Sequence, residues 1–384
     1  MKKRIAILGS TGSIGTQALE VIARHPDRFT VAGLAAGRNV DLLREQAARF
    51  NPDVTACAAD GAAGLLRVAL DAKPDLLLAA TDGAVAFDAV FAAVERGIDL
   101  AVANKELIVA AGELLVSAAR AGGSTIIPVD SEHSAVFQCL VGEDPARVAA
   151  VVLTASGGPF WRYSAPEMAD ATLEAALAHP NWRMGTKNTI DSATMMNKGL
   201  EIIEASHLFG LPADKLHIAV HPQSIAHGFA VFTDGSVKAQ LCAPDMRVPI
   251  GYALGYPDRL PAVPRQAQGD AEAGDVLAML GAKPQADSLR YDFERPDPVR
   301  FPCVRLAYRA LEDGGVAPAV LSAANEVAVG AFVEGKIRFG AIAEIVEATL
   351  ERVAQRPATL DDIREADRDA RIAAKERVED SICC

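Results

Sequence analysis

A glycine-rich segment close to the N-terminus, Gly9–Gly15, constrains the fold more than any other part of this sequence. It reads Gly-Ser-Thr-Gly-Ser-Ile-Gly, follows an apolar run at Arg4–Leu8 and precedes a helical pattern at Thr16–Arg24. A strand, a glycine turn and a helix in this order let a pyrophosphate approach the N-terminus of the helix. The spacing is GxxGxxG and not GxGxxG, so the glycine spacing alone is weaker support for a dinucleotide site than the order of strand, turn and helix around it. A glycine turn without a ligand is the alternative.

Short apolar runs alternate with helical patterns through the first third of the chain. Continuous apolar runs separated by helices predict parallel strands that are covered on both faces. The predicted strands are Arg4–Leu8, Thr30–Ala35, Leu76–Ala80, Leu100–Ala103 and Thr125–Val129. The sequence therefore predicts a doubly wound α/β fold, an N-terminal Rossmann-type domain at residues 1–130.

The sequence pattern changes after this domain. Strand-like runs at Val151–Thr154, Leu216–Val220 and Val237–Leu241 accompany a long polar, loop-like section at His179–Asn197. Long loops that interrupt regular structure often carry function. We therefore predict a central α+β catalytic domain at residues 131–255.

The last part of the chain predicts a linker and a helical domain. Residues 256–298 are rich in Pro, Gly and Asp, which is typical of a linker, with a short helical piece around residues 273–280. Beyond it, apolar residues such as Ile342, Val346 and Leu350 recur at helical spacing. This pattern predicts a C-terminal helical domain at residues 299–384.

The composition limits the classes of partner. Lysine and arginine number 38 against 50 aspartates and glutamates, a formal net charge of −12. This balance argues against a nucleic-acid groove or an anionic membrane as the main partner, although local donors still allow a small anion. No apolar stretch approaches the ~18 residues that span a bilayer. The six cysteines have no metal-type spacing, and free thiols in a reducing cytoplasm are the interpretation.

The residues after the second predicted strand indicate which dinucleotide binds. An NAD-binding domain usually carries an acid at this place, ~20 residues after the glycine turn. Here the chain reads Ala35-Ala36-Gly37-Arg38-Asn39 and has no acid. Arg38 can instead pair with the 2′-phosphate of NADP as a bidentate donor, which predicts NADPH and not NADH. A solvent-facing arginine without this role is the alternative.

Two acids flank Ser131 at the end of the last strand predicted for the first domain. In an extended chain residues i and i+2 point to one side, so Asp130 and Glu132 would project together. They would do so at the carboxyl end of a strand, where α/β folds bind ligands. Like charges held close together repel unless a cation lies between them. A pair of exposed loop acids is the alternative for so short a motif.

The segment Asp191–Glu201 reads as a cap followed by a helix, with Ser192 at its start. Asn197 and Lys198 lie four and three residues before Glu201, so the three share one helical face. Such a face can hold a phosphate and a metal at neighbouring points. With the two acids described above, Glu201 makes an all-oxygen set that suits Mg²⁺ or Mn²⁺ and not zinc. A surface ion pair is the alternative.

Two further polar segments are candidates for ligand contacts. Ser156 and two glycines follow a predicted strand, so a hydroxyl and backbone amides can cradle a phosphate there. The segment His179–Gly185 contains Trp182 and Met184, which suits a lid that closes over a substrate. An ordinary loop whose tryptophan packs on the core is the alternative for this segment.

Motifs spread in order over nearly the whole chain give it a close resemblance to the 1-deoxy-D-xylulose 5-phosphate reductoisomerase family. They are GSTGSIG from Gly9, AGRN from Ala36, NKE from Asn104, PVDSEH from Pro128, LTASGGPF from Leu153, HPNWRMG from His179, DSATMMNKGLE from Asp191, HPQS from His221, PDMR from Pro244 and AANE from Ala323. The resemblance implies NADPH- and divalent-metal-dependent isomerisation and reduction of 1-deoxy-D-xylulose 5-phosphate to 2-C-methyl-D-erythritol 4-phosphate. That reaction is a step of non-mevalonate isoprenoid precursor biosynthesis.

The resemblance also implies roles for individual residues. The NADPH site would comprise Gly9, Thr11, Gly12, Ser13, Ile14, Gly37, Arg38, Asn39, Asn104, Glu106 and Gly185. The sugar phosphate would contact Lys105, Ser131, Glu132, Ser156, His179, Trp182, Met184, Ser192, Asn197, Lys198 and Glu201. The metal, Mg²⁺ or Mn²⁺ with Co²⁺ as a further option, would bind Asp130, Glu132 and Glu201. These three acids and Lys105 would be the catalytic residues, and a homodimer is implied.

Some residues depart from the family pattern. Arg38 stands where members often have lysine, which keeps the charge, and Ala155 replaces a common glycine. The segment Ala79–Gly83 lacks a VGAAG-like run, which leaves the nicotinamide pocket less defined. Two rivals stay open: an NADP-dependent oxidoreductase of related build that acts on another phosphorylated substrate, and a dinucleotide-binding protein that is not an enzyme.

Overall fold

The structure is a computed structural model that describes residues 1–182, 184–261, 277 and 288–382. The chain forms two compact units. Unit 1 comprises residues 1–107, 115–138 and the described residues of 245–285; unit 2 comprises residues 108–114, 139–244 and the described residues of 286–384. Apart from residue 277, the short helical piece predicted at 273–280 lies outside the described residues.

Unit 1 contains a six-stranded sheet in the order β3-β2-β1-β4-β5-β6. The strands are β1 (Lys3–Leu8), β2 (Phe29–Ala35), β3 (Val54–Ala56), β4 (Leu76–Ala79), β5 (Asp99–Val102) and β6 (Ile126–Pro128). All neighbouring pairs are parallel. The strand order reverses between β1 and β4, which is where doubly wound sheets bind ligands. The predicted Rossmann-type fold is therefore confirmed, and only the three-residue strand β3 was not predicted.

Unit 2 contains a four-stranded mixed sheet in the order β10-β9-β7-β8. The strands are β7 (Val148–Ala155), β8 (Leu216–Val220), β9 (Ala226–Phe232) and β10 (Val237–Leu241). Strands β7 and β8 run parallel, and β9 runs antiparallel to both of its neighbours. The predicted α+β character of this region is confirmed. Strand β9 was not predicted, because Gly228 and His227 break its apolar run.

The helices of the described residues follow the predicted alternation in unit 1 and dominate the C-terminal region. They are α1 (Ser13–Arg24), α2 (Val40–Phe50), α3 (Gly61–Leu66), α4 (Phe87–Val94), α5 (Lys105–Gly122), α6 (Ser131–Leu140), α7 (Ala165–Ala169), α8 (Leu173–Leu177), α9 (Thr186–Ala193), α10 (Met196–Phe209), α11 (Arg247–Gly255), α12 (Pro302–Asp313), α13 (Ala317–Val333), α14 (Ala341–Arg352) and α15 (Leu360–Ile382). Helix α9 corrects one expectation, since it lies inside the section His179–Asn197 that was predicted as a loop.

The core of unit 1 is built from the apolar runs that predicted its strands. All four residues of β4 are buried, as are Ile5 and Ile7 of β1. Helix α11 adds Ile250 and Leu254 to the same core, although it follows the central part of the chain in sequence. Burying each such side chain stabilises the unit by about 1.5–3 kcal/mol. A sheet covered on both faces leaves its carboxyl edge as the place for ligands.

The C-terminal helices of unit 2 confirm the predicted helical region. Ala366, Ala370 and Ala374 of α15 are buried and lie four residues apart, so one face of this charged helix is apolar. Arg371 on the same helix pairs with Glu326 of α13 at 2.7 Å. Helix α15 is therefore packed against α13 and is not wholly solvated.

Among the described residues, no helix combines the length and the apolar character that crossing a membrane requires.

Candidate active site

The glycine turn leaves β1 at the carboxyl edge of the unit 1 sheet. Gly9 has a φ of +91°, and a Cβ at this position would lie 2.2 Å from the carbonyl oxygen of Ala80. A Cβ on Gly15 would lie 2.3 Å from the carbonyl oxygen of Gly9. Both positions therefore require glycine. No side chain caps α1 at Gly12, so the first-turn N–H groups of this helix can bind an anion.

The candidate residues beside these glycines differ in exposure. Ser13 is exposed, whereas Thr11 and Ile14 are half-buried. Gln46 of α2 supports the turn from behind, since its Nε2 donates to the carbonyl oxygen of Ser10 at 2.9 Å. Ser10 and Gln46 are both buried. The loop thus offers backbone amides on a support that is fixed by packing.

The segment after β2 reaches solvent at residues 37–39. Asn39 caps α2, because its Oδ1 accepts from the amide of Leu42 at 3.2 Å. Arg38, one residue before this cap, is exposed and can reach an external anion. Gly37 has no atom within 4 Å of an added Cβ, so it is open on the side that a side chain would occupy.

Asn104 joins β5 to α5 and is almost completely buried. Its Oδ1 caps the helix by accepting from the amide of Leu107 at 2.8 Å. Its Nδ2 donates to Thr81 Oγ1 at 3.2 Å and to the carbonyl oxygen of Gly83 at 2.9 Å. Asn104 therefore links the helix start to the loop after β4, the segment that departs from the family pattern. Its neighbour Glu106 lies in the first turn of α5.

Asp130 caps helix α6, which corrects the extended geometry predicted for it. Its Oδ1 accepts from the amides of Glu132 at 3.1 Å and His133 at 3.4 Å. Glu132 is therefore in the first turn of a helix and not in a strand. Asp130 also forms an ion pair with Lys105 of α5. The structure thus brings Lys105, Asp130 and Glu132 together at the edge of the unit 1 sheet, with Ser131 donating to Glu132 at 3.0 Å.

His133 is a further contact of this group. The ring is completely buried, and its Nδ1 lies 3.2 Å from Asp130 Oδ1. A buried ring at this distance restricts the rotation of the Asp130 carboxylate. The signal available in the sequence was its position three residues after a capping aspartate, one helical turn away.

Ser156 follows β7 in unit 2, as predicted, and contacts His179. Its Oγ lies 2.9 Å from His179 Nε2 and accepts from the amide of Gly158 at 3.2 Å. His179 Nδ1 accepts from the amides of Asn181 and Trp182 at 3.2 and 2.9 Å. The proton of the neutral ring is therefore on Nε2, which donates to Ser156. Burial lowers the pKa of His179, which favours this neutral form.

The segment predicted as a lid is anchored at its start. Asn181 Nδ2 donates to the carbonyl oxygen of Pro222 at 2.6 Å and to Ser224 Oγ at 2.9 Å. Trp182 is half-buried and packs edge-on against His227, with ring centroids 6.3 Å apart. Met184 is half-buried, and Gly185 is exposed at the start of α9. Sequence reasoning missed Asn181, although the tight His-Pro-Asn spacing was visible.

Ser192 lies in the last turn of α9, which corrects its predicted place at the start of a helix. A turn separates the two helices, because Met195 has a φ of +56° and α10 begins at Met196. Gly158, with a φ of +64°, packs on this turn, and a Cβ on it would lie 2.5 Å from the Ser192 carbonyl oxygen. The loop after β7 therefore approaches the Ser192 backbone directly.

Asn197, Lys198 and Glu201 share one face of α10, as predicted. Asn197 Nδ2 donates to Glu201 Oε1 at 2.6 Å, and Lys198 forms an ion pair with Glu201. Lys198 and Glu201 are buried, so the surface ion pair considered above is wrong. Removing one partner of such a pair costs about 3–5 kcal/mol. A Cβ on Gly199 would lie 2.7 Å from Ala307 Cβ, so this glycine lets α10 pack closely on α12.

Comparison with known proteins covers nearly the whole chain. A family profile described as 1-deoxy-D-xylulose 5-phosphate reductoisomerase matches residues 5–73 and 55–112, and profiles of the C-terminal domains of the same enzyme match residues 126–209 and 241–373. A 1-deoxy-D-xylulose 5-phosphate reductoisomerase of Symbiobacterium thermophilum is 49% identical, over 98% of this chain and 99% of that protein. One of Chlorobium phaeobacteroides is 46% identical over the same shares.

Solved structures give the same relationship. The 1-deoxy-D-xylulose 5-phosphate reductoisomerase of Zymomonas mobilis in complex with NADPH superposes with a TM-score of 0.87 at 41% identity, over 99% of this chain and 100% of that one. A DOX-P reductoisomerase in complex with NADPH, fosmidomycin and magnesium superposes with a TM-score of 0.87 at 35% identity, over 98% of each chain. These relationships span the glycine turn, the carboxylates and the helical face described above. The chain therefore belongs to the 1-deoxy-D-xylulose 5-phosphate reductoisomerase family.

Proposed function

We propose that the residues described above carry out the reaction of this family in this chain. That reaction is the NADPH- and divalent-metal-dependent conversion of 1-deoxy-D-xylulose 5-phosphate into 2-C-methyl-D-erythritol 4-phosphate, a step of non-mevalonate isoprenoid precursor biosynthesis. The observation that carries the proposal is the 49% identity to a reductoisomerase over 98% of the chain. The runner-up, an oxidoreductase of related build with another substrate, is not favoured by any of the relatives reported above.

Asp130, Glu132 and Glu201 are proposed to bind the divalent cation. They form a group that could hold a metal ion, and no other group of at least three His, Cys, Asp or Glu side chains of that kind is found in the described part of the chain. Three carboxylates are a hard, all-oxygen donor set, which fits Mg²⁺ or Mn²⁺, with Co²⁺ as a further option. When bound, the cation would supply Lewis-acid polarisation of substrate oxygens. Magnesium is present in a solved relative.

Lys105, at the start of α5, is proposed to act on the substrate. Its ion pair with Asp130 keeps the ammonium at a fixed position. A fixed positive charge stabilises negative charge that develops on a substrate oxygen. Ser131, which donates to Glu132, is proposed as a further substrate contact.

Ser156, Ser192, Asn197 and Lys198 are proposed to bind the substrate phosphate. Ser156 Oγ already accepts from His179 and Gly158, so its own proton can be donated to a phosphate oxygen. Lys198 is held by Glu201, which fixes its charge inside the protein. Phosphate binding far from the reacting carbons supplies binding energy that positions them. Trp182 and Met184 are proposed to close over the substrate from the anchored loop.

The glycine turn and the segment after β2 are proposed to bind NADPH, which supplies the hydride. Backbone amides of residues 9–15 would bind the pyrophosphate. Arg38 and Asn39 are exposed at the end of β2 and would bind the 2′-phosphate. Asn104, Glu106 and Gly185 would complete the site. NADPH is bound in the related enzyme of Zymomonas mobilis.

The domain bounds, the oligomeric state and the cellular location are proposals as well. We propose an NADPH-binding domain at residues 1–130, a catalytic domain at 131–255, a linker at 256–298 and a helical domain at 299–384. A homodimer is proposed from the family resemblance. A cytoplasmic location agrees with the free thiols of Cys57, Cys139, Cys242 and Cys303.

One assay tests the proposed function. NADPH oxidation is followed with 1-deoxy-D-xylulose 5-phosphate, with and without Mn²⁺, and the product is analysed by mass spectrometry and NMR. We expect metal-dependent oxidation that yields the branched product. Reduction without rearrangement of the carbon skeleton would favour the other oxidoreductase, and NADPH binding without turnover would favour a protein that is not an enzyme.

A further inference from the structure

We infer that Asn325, on helix α13, is a positioning residue for the phosphate end of the substrate site, and that it acts through Asp191. The inference rests on the proposed function, which assigns Ser192 and two side chains of α10 to the phosphate. Neither Asn325 nor Asp191 belongs to that assignment. The role follows from one buried hydrogen bond, from Asn325 Nδ2 to Asp191 Oδ1 at 2.7 Å.

Asp191 is a buried charge in an unfavourable place. Its side chain is 1% exposed, and it lies in the last turn of α9. Carbonyl dipoles at a helix C-terminus repel a carboxylate, and removing it from water adds a further cost. Two donors compensate: Lys187 Nζ at 2.9 Å, from the same helix, and Asn325 Nδ2, from α13. Asn325 is thus the donor that ties this carboxylate to a separate element.

The backbone around Asp191 transmits its position to the phosphate ligands. Ser192 is the next residue, and the Asp191 carbonyl oxygen accepts from Thr194 Oγ1 at 3.2 Å. Thr194 Oγ1 in turn accepts from the amide of Met196, the first residue of α10, at 3.2 Å. A shift of the Asp191 side chain would therefore move Ser192 and the start of α10 together.

Asn325 itself is held firmly and shows no other use for its amide. It is completely buried, and its Oδ1 has no hydrogen-bond partner among the residues that the structure describes. A buried acceptor without a partner is destabilising, so packing alone does not explain an asparagine here. The adjacent Glu326 pairs with Arg371 of α15, which joins α13 to that helix. The remaining feature that an amide satisfies is the Asp191 carboxylate.

The Cys303 thiol is a further buried group near Asp191. Burial and the nearby Asp191 carboxylate raise the pKa of the Cys303 thiol to about 12, so this neighbour stays neutral. Asp191 therefore depends on Lys187 and Asn325 for its compensation. Replacing the amide of Asn325 by a carboxylate would put two like charges in direct contact.

Steady-state kinetics of Asn325→Asp, Asn325→Ala and the reciprocal double variant Asn325→Asp with Asp191→Asn test this inference. We expect KM for 1-deoxy-D-xylulose 5-phosphate to rise about tenfold in Asn325→Asp and less in Asn325→Ala, with KM for NADPH unchanged. The double variant restores an amide–carboxylate pair and should return KM to within about threefold of the parent. Because KM does not depend on the concentration of active enzyme, partial misfolding cannot imitate this result.

Ser322→Ala is the matched control, since Ser322 is a buried polar residue one turn earlier on the same helix. It should change stability without changing either KM. Unchanged substrate KM in Asn325→Asp, equal changes in both KM values, no rescue in the double variant, or loss of all turnover in Asn325→Ala would each overturn the inference.

A readout without turnover separates this inference from the proposed function. Inorganic phosphate should raise the melting temperature of the parent protein more than that of Asn325→Asp. An inactive parent with this difference would count against the proposed function alone. An active parent with equal phosphate stabilisation in both proteins would count against the role of Asn325 alone.

Discussion

The two units of the molecule prepare their ligand sites in different ways. For the proposed pyrophosphate site, unit 1 offers backbone amides from one continuous segment, the turn at residues 9–15, whose shape is fixed by glycines with no room for a side chain. Unit 2 offers side chains from β7, α9 and α10, which are far apart in sequence. Among the described residues, the buried lysine, aspartate and glutamate side chains are Asp191, Lys198, Glu201 and Glu204, and all four lie in unit 2.

This difference predicts which property a substitution in each site will change. Backbone amides in a glycine turn carry no net charge, so unit 1 can bind an anion without burying ions of its own. A buried ion is stable only when its partners are in place, so unit 2 depends on pairs such as Lys198 with Glu201. Substitutions at the glycine turn and at Arg38 of unit 1 should therefore act on cofactor affinity, whereas those at the buried ion pairs of unit 2 should act on turnover and on local stability together.

Among the substitutions that should affect one unit and not the other, Glu201→Gln is expected to have the largest effect. The substitution removes a proposed metal ligand and the partner of Lys198, so turnover should fall by at least about 10³-fold. NADPH affinity, which depends on unit 1, should change by less than about twofold. Fluorescence titration of NADPH and turnover over a range of Mn²⁺ concentrations measure the two quantities.

Glu347→Gln is the control for this experiment, because its ion pair with Arg305 is partly exposed. A pair of that kind contributes about 0–1 kcal/mol, and its loss should leave turnover intact. If Glu201→Gln keeps its turnover at low metal, Glu201 is not a metal ligand. If it loses NADPH affinity as well, the two units do not respond separately.

Arg38→Glu in unit 1 should have a smaller effect than Glu201→Gln, and it should change cofactor binding and not substrate binding. A negative charge beside the 2′-phosphate should raise KM for NADPH by about 10²-fold and change KM for NADH by less than about threefold. KM for the sugar phosphate should stay unchanged. Arg44→Glu on α2 is the matched control, since Arg44 is also exposed on this unit. Equal effects of Arg38→Glu on both cofactors would remove Arg38 from the 2′-phosphate.

The fold of unit 1 was predictable because its strands are continuous apolar runs. The run at Leu76–Ala80 became β4, which is buried along its whole length. Strand β9 escaped prediction, since glycine and histidine interrupt its pattern. Helix α9 escaped too, because the sequence Thr-Lys-Asn-Thr-Ile-Asp-Ser-Ala has few apolar residues and draws its stability from tertiary contacts.

The candidate site shows the same limit at single residues. The shared face of Asn197 and Glu201 was predictable, because helical spacing is a local property. The place of Ser192 was not predictable. The turn after α9 puts Met195 at positive φ, and a methionine gives no sequence signal for this conformation. The cap at Asp130 was predictable, because aspartate is a common helix cap, but the residue was interpreted as the end of a strand.

The polar contacts of His221 predict an effect of acid on unit 2. The ring is completely buried and stacks on Phe293, with centroids 4.6 Å apart. Its Nε2 accepts from the amides of Ile225 and Ala226, both at 3.2 Å, so the proton of the neutral ring is on Nδ1 and is donated to the carbonyl oxygen of Asp292. A second proton would remove the acceptor that both amides use.

The smallest expected effect is therefore a pH dependence of stability in unit 2. Burial lowers the pKa of His179, His207 and His221 below the ordinary value of 6.5. The unfolded chain then binds more protons than the folded one, so this stability is present above pH 6.5 and is lost as pH falls through the folded pKa. Each such histidine contributes a slope of at most ~1.4 kcal/mol per pH unit.

His221→Gln tests this pH dependence, because glutamine keeps an acceptor near the two amides but does not titrate. Urea unfolding at about pH 7 and about pH 5 should show that wild type loses more stability on acidification than the variant does. His217→Gln, at an exposed position of β8, should keep the wild-type slope. The same slope in His221→Gln and wild type would show that this ring does not set the acid response. His179 and His207, whose pKa values burial also lowers, would then be the next candidates for the acid response of unit 2.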